Sequence, residues 1–369
     1  MAKVRLGDVA VERKETSKNN QPFPTVGLEH LIPEEVTLTQ WEENSDNTFT
    51  KIFRKGDVLF GRRRAYLKKA AVAPMDGICS GDITVISAKP EKIKPELLPF
   101  IIQNDDFFDF AVEKSAGSLS PRAKWQHLKD YEFNLPDLDE QERLAEILWA
   151  MQDTKRAYQN LLKRTDELVK SQFIEMFENR SDEKQCLKKL FDLQMGKTPA
   201  RAEKRLWMSG DHRWISIADM STYGKYTGDT KEYLSDLAVK ETGIKIVPKD
   251  TVIMSFKLTV GRTAITSEDI YTNEAIMAFI PKTKHFDLDY LRYALHFYDW
   301  TEGLQNAVKG VTLNKAIIGD AEFSIPPMAL QKDFATFVEQ SDKSKFELEN
   351  AIKELTATYK RIITESLGQ

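Results

Sequence analysis

The chain has 369 residues, of which 41% are hydrophobic and 30% charged, with a formal net charge of −4. That length allows two or three domains that each bury a core, the composition is globular rather than disordered, and no apolar run approaches the roughly 18 residues a membrane-spanning helix needs. The negative balance excludes a general polyanion binder of the histone kind while leaving local basic surfaces open.

The opening MAKVRLGDVAVERK lacks the apolar stretch of a signal peptide. Only two cysteines occur, Cys79 and Cys186, without a CxxC partner. Together these features lead to the expectation of a cytoplasmic protein with inert thiols.

LGDV at Leu6 opens the first globular part, and TVGLEHL at Thr25 is a short β-type run. GDVLFGRRRAYLKKAAV from Gly56 holds two apolar runs around a basic loop, as expected of strand, loop and strand. PELLPFII at Pro95 reads as a helix that Pro99 would weaken or kink. After Pro136 an apolar stripe at helical spacing begins, running through Leu144, Ile147, Leu148, Met151, Tyr158, Leu161, Leu162, Leu168, Val169 and Met176. Asp137 to Glu142 place acids where a helix N-terminus favours them.

The chain then repeats itself. FNLPDLDEQERLAEIL from Phe133 returns as FSIPPMALQKDFATFV from Phe323, an offset of 323 − 133 = 190 that pairs Pro136 with Pro326 and Gln141 with Gln331. Upstream, LGDV at Leu6 matches LFDL at Leu190, TVGLEHL matches WISIADM at Trp214, and the basic loop lies opposite DTVIMSFKLTVGRTAI from Asp250. PELLPFII matches LDYLRYAL at Leu288, and a second apolar stripe runs from Phe334 and Phe337 through Ile352 and Leu355 to Tyr359, Ile362 and Ile363. A period this long is a domain duplication rather than a solenoid.

The fold class expected is α+β: two repeated mixed α/β domains, each followed by a long helix. The bounds are 1–136 and 181–326 for the globular parts, and 137–180 and 327–369 for the helical regions. About forty residues at 1.5 Å rise make each helix roughly 60 Å long, and a stripe of that length needs a cover. The expected cover is the other copy, in an antiparallel coiled coil with pseudo-two-fold symmetry. Leu144, Leu148, Met151, Tyr158 and Leu162 would face Phe337, Ile352, Leu355, Tyr359 and Ile362. A coiled coil between two chains is the alternative.

The second copy carries MGKTPARAEKRLWMSGDHRWISIADM from Met195, KLTVGRTAI from Lys257 and YTNEAIMAFIP from Tyr271. With the paired proline and glutamine helix starts, these strings resemble the DNA specificity subunit of type I restriction–modification systems over essentially the whole chain. The first copy is looser, with Cys79-Ser80-Gly81-Asp82-Ile83 standing where the second has Thr272-Asn273-Glu274-Ala275-Ile276.

The resemblance implies that each globular part is a target recognition domain reading one half of a bipartite duplex DNA target. The helices would act as a ruler and as the docking surface for two methyltransferase subunits, with restriction/translocase subunits as further partners. It also implies no cofactor in this chain, S-adenosylmethionine and ATP belonging to the partners.

Within that frame, Arg62, Arg63, Arg64, Tyr66, Lys68 and Lys69 form a basic, aromatic loop suited to phosphates and guanine edges. Lys257, Thr259 and Arg262 occupy the matching stretch of the second copy. Ser118, Ser120, Arg122 and Lys124 precede the first long helix as Lys309, Thr312, Asn314 and Lys315 precede the second, and Lys197 and Arg201 complete the DNA-contact candidates.

Enzyme motifs fail. Gly196-Lys197-Thr198 lacks the phosphate-loop glycine, which would have to stand at Phe191. Pro326-Pro327 is flanked by Ile325 and Met328 rather than by the residues of an amino-methyltransferase tetrapeptide. The five histidines form no helical pair with metal-ligand spacing. Two other readings stay open: a two-domain coiled-coil scaffold binding protein, and part of a fused restriction–methylation enzyme.

Overall fold

A computed structural model describes residues 2–17, 24–43, 47–117, 120–178, 180–207, 210, 212–300 and 313–368. The chain divides into two compact units: the first joins two separate stretches, Met1–Leu161 and Glu347–Gln369, and the second is the continuous stretch between them, Leu162–Phe346.

In the first unit the apolar runs form a four-stranded antiparallel sheet, in the order Ala10–Glu12, Ile83–Ala88, Val58–Gly61, Ala70–Val72. The basic loop therefore connects two neighbouring strands, with Val58 opposite Val72. A second sheet sets Thr25–Val26 parallel to Gly77–Cys79, which pairs antiparallel with Lys51–Phe53. A two-stranded ribbon joins Ala2–Arg5 to Glu132–Leu135.

The second unit repeats this plan. Its four-stranded sheet runs Phe191–Met195, Ile276–Pro281, Val252–Ser255, Thr263–Ile265. Its three-stranded sheet sets His212–Ile215 parallel to Tyr271–Thr272 and antiparallel to Glu232–Leu234, and its ribbon pairs Lys184–Cys186 with Glu322–Ser324. The duplication thus extends to the order of the four-stranded sheet and to a parallel strand pair in each three-stranded sheet, whose third strand flanks Gly77–Cys79, the later member of the pair, in the first copy and His212–Ile215, the earlier member, in the second. One detail of the sequence match changes: the short helix after the first ribbon strand is Leu6–Val9 in one copy and Leu187–Leu190 in the other, so Leu6 corresponds to Leu187 rather than to Leu190.

The expected helices form, with one correction. Pro99 stands in the first turn of helix Leu98–Ile102, where its missing N–H costs nothing, so it starts that helix rather than kinking it. The second copy's helix, Leu288–Phe297, is capped by the Asp287 carboxylate.

The two long helices are Leu138–Phe177 and Met328–Leu367. In the first unit, Leu144 and Leu148 at the start of one share a core with Ile363 and Leu367 at the end of the other, beside Phe100, Phe107, Phe108 and Phe133. Tyr359 and Ile362 pack against that core half-buried, and Met151 and Leu355 line a small cavity next to it, about 50 Å³ in volume. In the second unit, Val169, Phe173 and Phe177 share a core with Phe334 and Val338, and Phe337 packs on its edge. Tyr158, Leu162 and Ile352 are half-buried. Ile147, Leu161 and Leu168, read from the sequence as part of the stripe, are instead exposed. These three stand one residue before Leu148, Leu162 and Val169, about 100° away round the helix, and so lie beside the buried face rather than on it.

The glutamines that marked the repeat fasten each long helix to its sheet domain. Gln141, buried, accepts a hydrogen bond from Lys94 N at 2.9 Å and donates one to Pro136 O at 2.8 Å. Gln331, buried, accepts from Asp287 N at 2.8 Å and donates to Pro326 O and His285 O. A glutamine amide suits this place because one side chain satisfies a donor and an acceptor that burial would otherwise leave unpaired.

Candidate nucleic-acid interface

In the first unit the loop after strand Val58–Gly61 and the loop before helix Trp125–Leu128 form one surface. Backbone bonds run from Arg64 N to Pro121 O at 3.0 Å and from Ala123 N to Arg62 O at 2.8 Å, and Arg63 bridges Arg122. Asp82 lies beneath. It accepts from Arg122 Nε at 2.8 Å and sits 3.5 Å from Arg63, which also donates to Ser120 Oγ at 2.6 Å. The hydrogen bond from Arg122, helped by the charges of Arg63 and Arg62, outweighs burial and holds the Asp82 carboxyl below its ordinary range.

The candidate cations therefore fall into two groups. Arg63 and Arg122 brace Asp82, Lys68 pairs with Asp105 at 2.5 Å, and Lys69 donates to Leu28 O at 2.7 Å. Arg64 and Lys124 are exposed and form no side-chain hydrogen bond or ion pair among the described residues. Arg62 is half-buried, and its Nε has no hydrogen-bond partner among the described residues. Tyr66 is exposed. Ser118 lies outside the described residues.

In the second unit the matching loop leaves strand Val252–Ser255 through Phe256. Lys257 holds its ammonium 5.6 Å from the Phe256 ring, and Arg262 donates to Ser221 O at 2.8 Å. Thr259 is exposed, and its carbonyl accepts from Ser255 Oγ. Asn314 is a helix cap, accepting from Ala316 N and Ile317 N, and Lys315 follows it exposed in helix Lys315–Asp320. Lys309 and Thr312 lie outside the described residues.

The strings that carried the resemblance form a lock. Gly196 runs so close to strand Tyr271–Thr272 that a Cβ there would lie 1.9 Å from Thr272 O. Lys197 N donates to Thr272 O at 2.9 Å, and Trp214 Nε1 donates back to Lys197 O at 2.9 Å. Thr198 Oγ1 donates to Glu274 and accepts from Asn273 Nδ2, while Asn273 Oδ1 accepts from Ala275 N.

Arg201 stacks 4.2 Å from the Trp207 ring and 4.8 Å from the Trp214 ring, and its guanidinium pairs with Glu232. Lys197 Nζ donates to Thr242 O at 2.8 Å. Arg201 is thus spent on holding the lock together. Sequence reasoning missed the three counter-ions, Asp82, Asp105 and Glu232; Asp82 was within reach, in the CSGDI string that replaces TNEAI.

Sequence comparison gives this architecture its family. The type I restriction modification DNA specificity domain matches residues 1–164 and again 181–357, nearly the whole chain in two copies. The chain belongs to that family. The Escherichia coli type I restriction enzyme EcoprrI specificity subunit is 29% identical over 110 residues, covering 29% of this chain and 27% of the relative. The Methanocaldococcus jannaschii type I restriction enzyme MjaIX specificity subunit is 27% identical over 160 residues, covering 42% of this chain and 37% of the relative. These matches span well under half the length of the curated relatives. The fold agrees with a chain from work on complex assembly and conformational transition of the type I R-M system, at a TM-score of 0.64 and 20% identity over 99% of this chain and 97% of that one.

Among the described residues, no group of three His, Cys, Asp or Glu side chains is placed to hold a metal ion. No described helix is long and apolar enough to cross a membrane. Burial pushes the Cys79 thiol up to about 12, which leaves it unreactive near neutrality.

Proposed function

We propose that this chain is the DNA specificity subunit of a type I restriction–modification complex, each sheet domain reading one half of a bipartite duplex target. The observation that carries the reading is a frame built twice, with the same four-stranded sheet order and the same glutamine fastening, whose loop tips carry different side chains. A protein that reads two unlike half-sites needs that combination of constant frame and divergent tips.

The long helices act as the ruler between the readers, paired antiparallel. The cores that join the start of each helix to the end of the other support this pairing. Two methyltransferase subunits dock on the helical region, where Ile147, Leu161 and Leu168 stay exposed; restriction/translocase subunits join that assembly. S-adenosylmethionine, ATP and the chemistry belong to those partners.

The test is methylation sequencing of cells expressing this chain with its methyltransferase partner. A split adenine-methylation motif is expected, and absence of any motif would end the proposal. Arg64→Ala with Lys124→Ala should weaken duplex binding and lower the salt slope by about 2, roughly one per phosphate contact removed. A protein-binding scaffold would show no such change.

A further inference from the structure

Both copies hold large apolar side chains in the open at the tip of the same loop, and left-handed residues shape each tip. In the second unit Leu258 has φ +65° and is 91% exposed. Thr259 N donates to Lys257 O at 2.8 Å across it, the bond of a γ-turn in its rare positive-φ form. The turn is clamped from below, Gly261 N donating to Ser255 O at 3.0 Å and Ser255 Oγ to Thr259 O, so Leu258 cannot relax inward. Val260 beside it is 47% exposed.

In the first unit Tyr66 and Leu67, 56% and 41% exposed, sit between Arg64 and Lys68, both left-handed with φ 54° and 51°. Glycine or asparagine would fit those backbone angles with less strain, and a polar side chain would suit the exposure. The second copy keeps Leu258 against both preferences, and the first sets Tyr66 and Leu67 out between two left-handed cations, which marks the tips as functional rather than structural.

The flanks say what the tips meet. Lys257 and Arg262 border Leu258, and Arg62, Arg64 and Lys69 border Tyr66 and Leu67; none of these five is in an ion pair among the described residues, so the surroundings attract a polyanion. An apolar side chain carried by cations onto a duplex finds apolar surface in the stacked bases, where it can part a step and bend the helix axis.

We propose that Leu258, with Val260, is a wedge that enters a base step of the half-target read by the second copy, and that Tyr66 and Leu67 do the same for the first. The proposal rests on the specificity reading and adds DNA deformation to it. Recognition would then depend on how easily the wedged step unstacks as well as on base edges.

The test uses the full chain with its methyltransferase partner, without methyl donor, and duplexes carrying the motif found by methylation sequencing. In these, 2-aminopurine replaces successive bases other than the methylated adenine. Wild-type complex should raise the fluorescence at one step in each half. Leu258→Asn and Leu258→Ala should abolish the rise in the second half only and bind about tenfold more weakly, the loss expected for one buried apolar side chain. Their salt slope should not change, since no charge is removed. Asparagine also suits positive φ, so Leu258→Asn should fold at least as well as wild type.

Variants that bind and report like wild type would overturn the wedge and leave the specificity reading intact. Variants that lose the methyltransferase while the wild-type duplex stays silent would overturn it in favour of a protein contact. A wild-type complex that selects no sequence would overturn both.

Discussion

Arg201 is the sharpest test of whether a cation in this fold reads DNA or holds the frame. Its guanidinium stacks on Trp207 and Trp214 and pairs with Glu232. Each cation–π contact at a partly exposed site contributes about 0.5–1 kcal/mol. The Glu232 pair, with the Arg201 side chain 51% exposed, adds about 0.5–1 kcal/mol after solvent screening. Arg201→Ala should therefore destabilise the second unit by about 1.5–3 kcal/mol, a fall of roughly 3–12 °C in its Tm for a unit of that size. Arg201→Lys keeps the charge but loses the planar stack, and should recover less than half of the loss. Thermal unfolding gives the stability, and duplex binding across a salt series gives the number of phosphate contacts. For either variant the salt slope should match wild type. A Tm within about 1 °C of wild type, together with a slope lowered by about one, would refute the structural role and make Arg201 a phosphate contact.

Asp82→Asn tests the brace in the first unit by pH. The folded carboxyl lies below its ordinary value because Arg122 bonds it, so its stabilisation is present above about pH 4 and fades as pH falls through the depressed folded value. The asparagine variant should lose that acid limb in urea unfolding between about pH 3 and 7, and an unchanged limb would contradict the assignment. Gly196→Ala should destabilise the second unit by about 1–3 kcal/mol or more, since its Cβ would displace Thr272 O; a neutral Tm would show that the lock yields freely. Phe334→Ala removes a fully buried ring whose centroid lies 5.4 Å from that of Phe173 and 5.5 Å from those of Phe177 and Tyr293. It should cost about 3–5 kcal/mol in denaturant unfolding, and a loss below about 1 kcal/mol would mean that the helix ends do not share a core as described.

Much of this architecture was legible because local pattern carried it. Val58-Leu59-Phe60 and Val252-Ile253-Met254 read as strands and are strands, and the glutamine starts marked two helices of the expected length. Two things depended on long-range contact. The compact units borrow the ends of helices from the other half of the chain, which no local pattern encodes. The fate of each cation turned on a carboxylate far away in sequence, Asp82 for Arg63 and Arg122, Asp105 for Lys68, Glu232 for Arg201. A basic string states that charge is available; only packing states whether it is already neutralised.

That distinction changes what divergence between the copies means. Lys197 and Arg201 looked like DNA contacts because they are basic and sit in the string that carries the resemblance, yet one is bonded to a backbone carbonyl and the other is held between two tryptophans. The first copy braces its loops by a different device, two arginines on one aspartate. Each copy has thus solved the stability of its own loops separately, while both kept the glutamine fastening, the order of the four-stranded sheet and an exposed apolar tip. What stays constant transmits position from helix to sheet. What varies freely is the bracing, which only has to hold. The tips must vary in side chain yet keep their exposure, because an unlike pair of half-sites can be read from a repeated frame only where the frame ends.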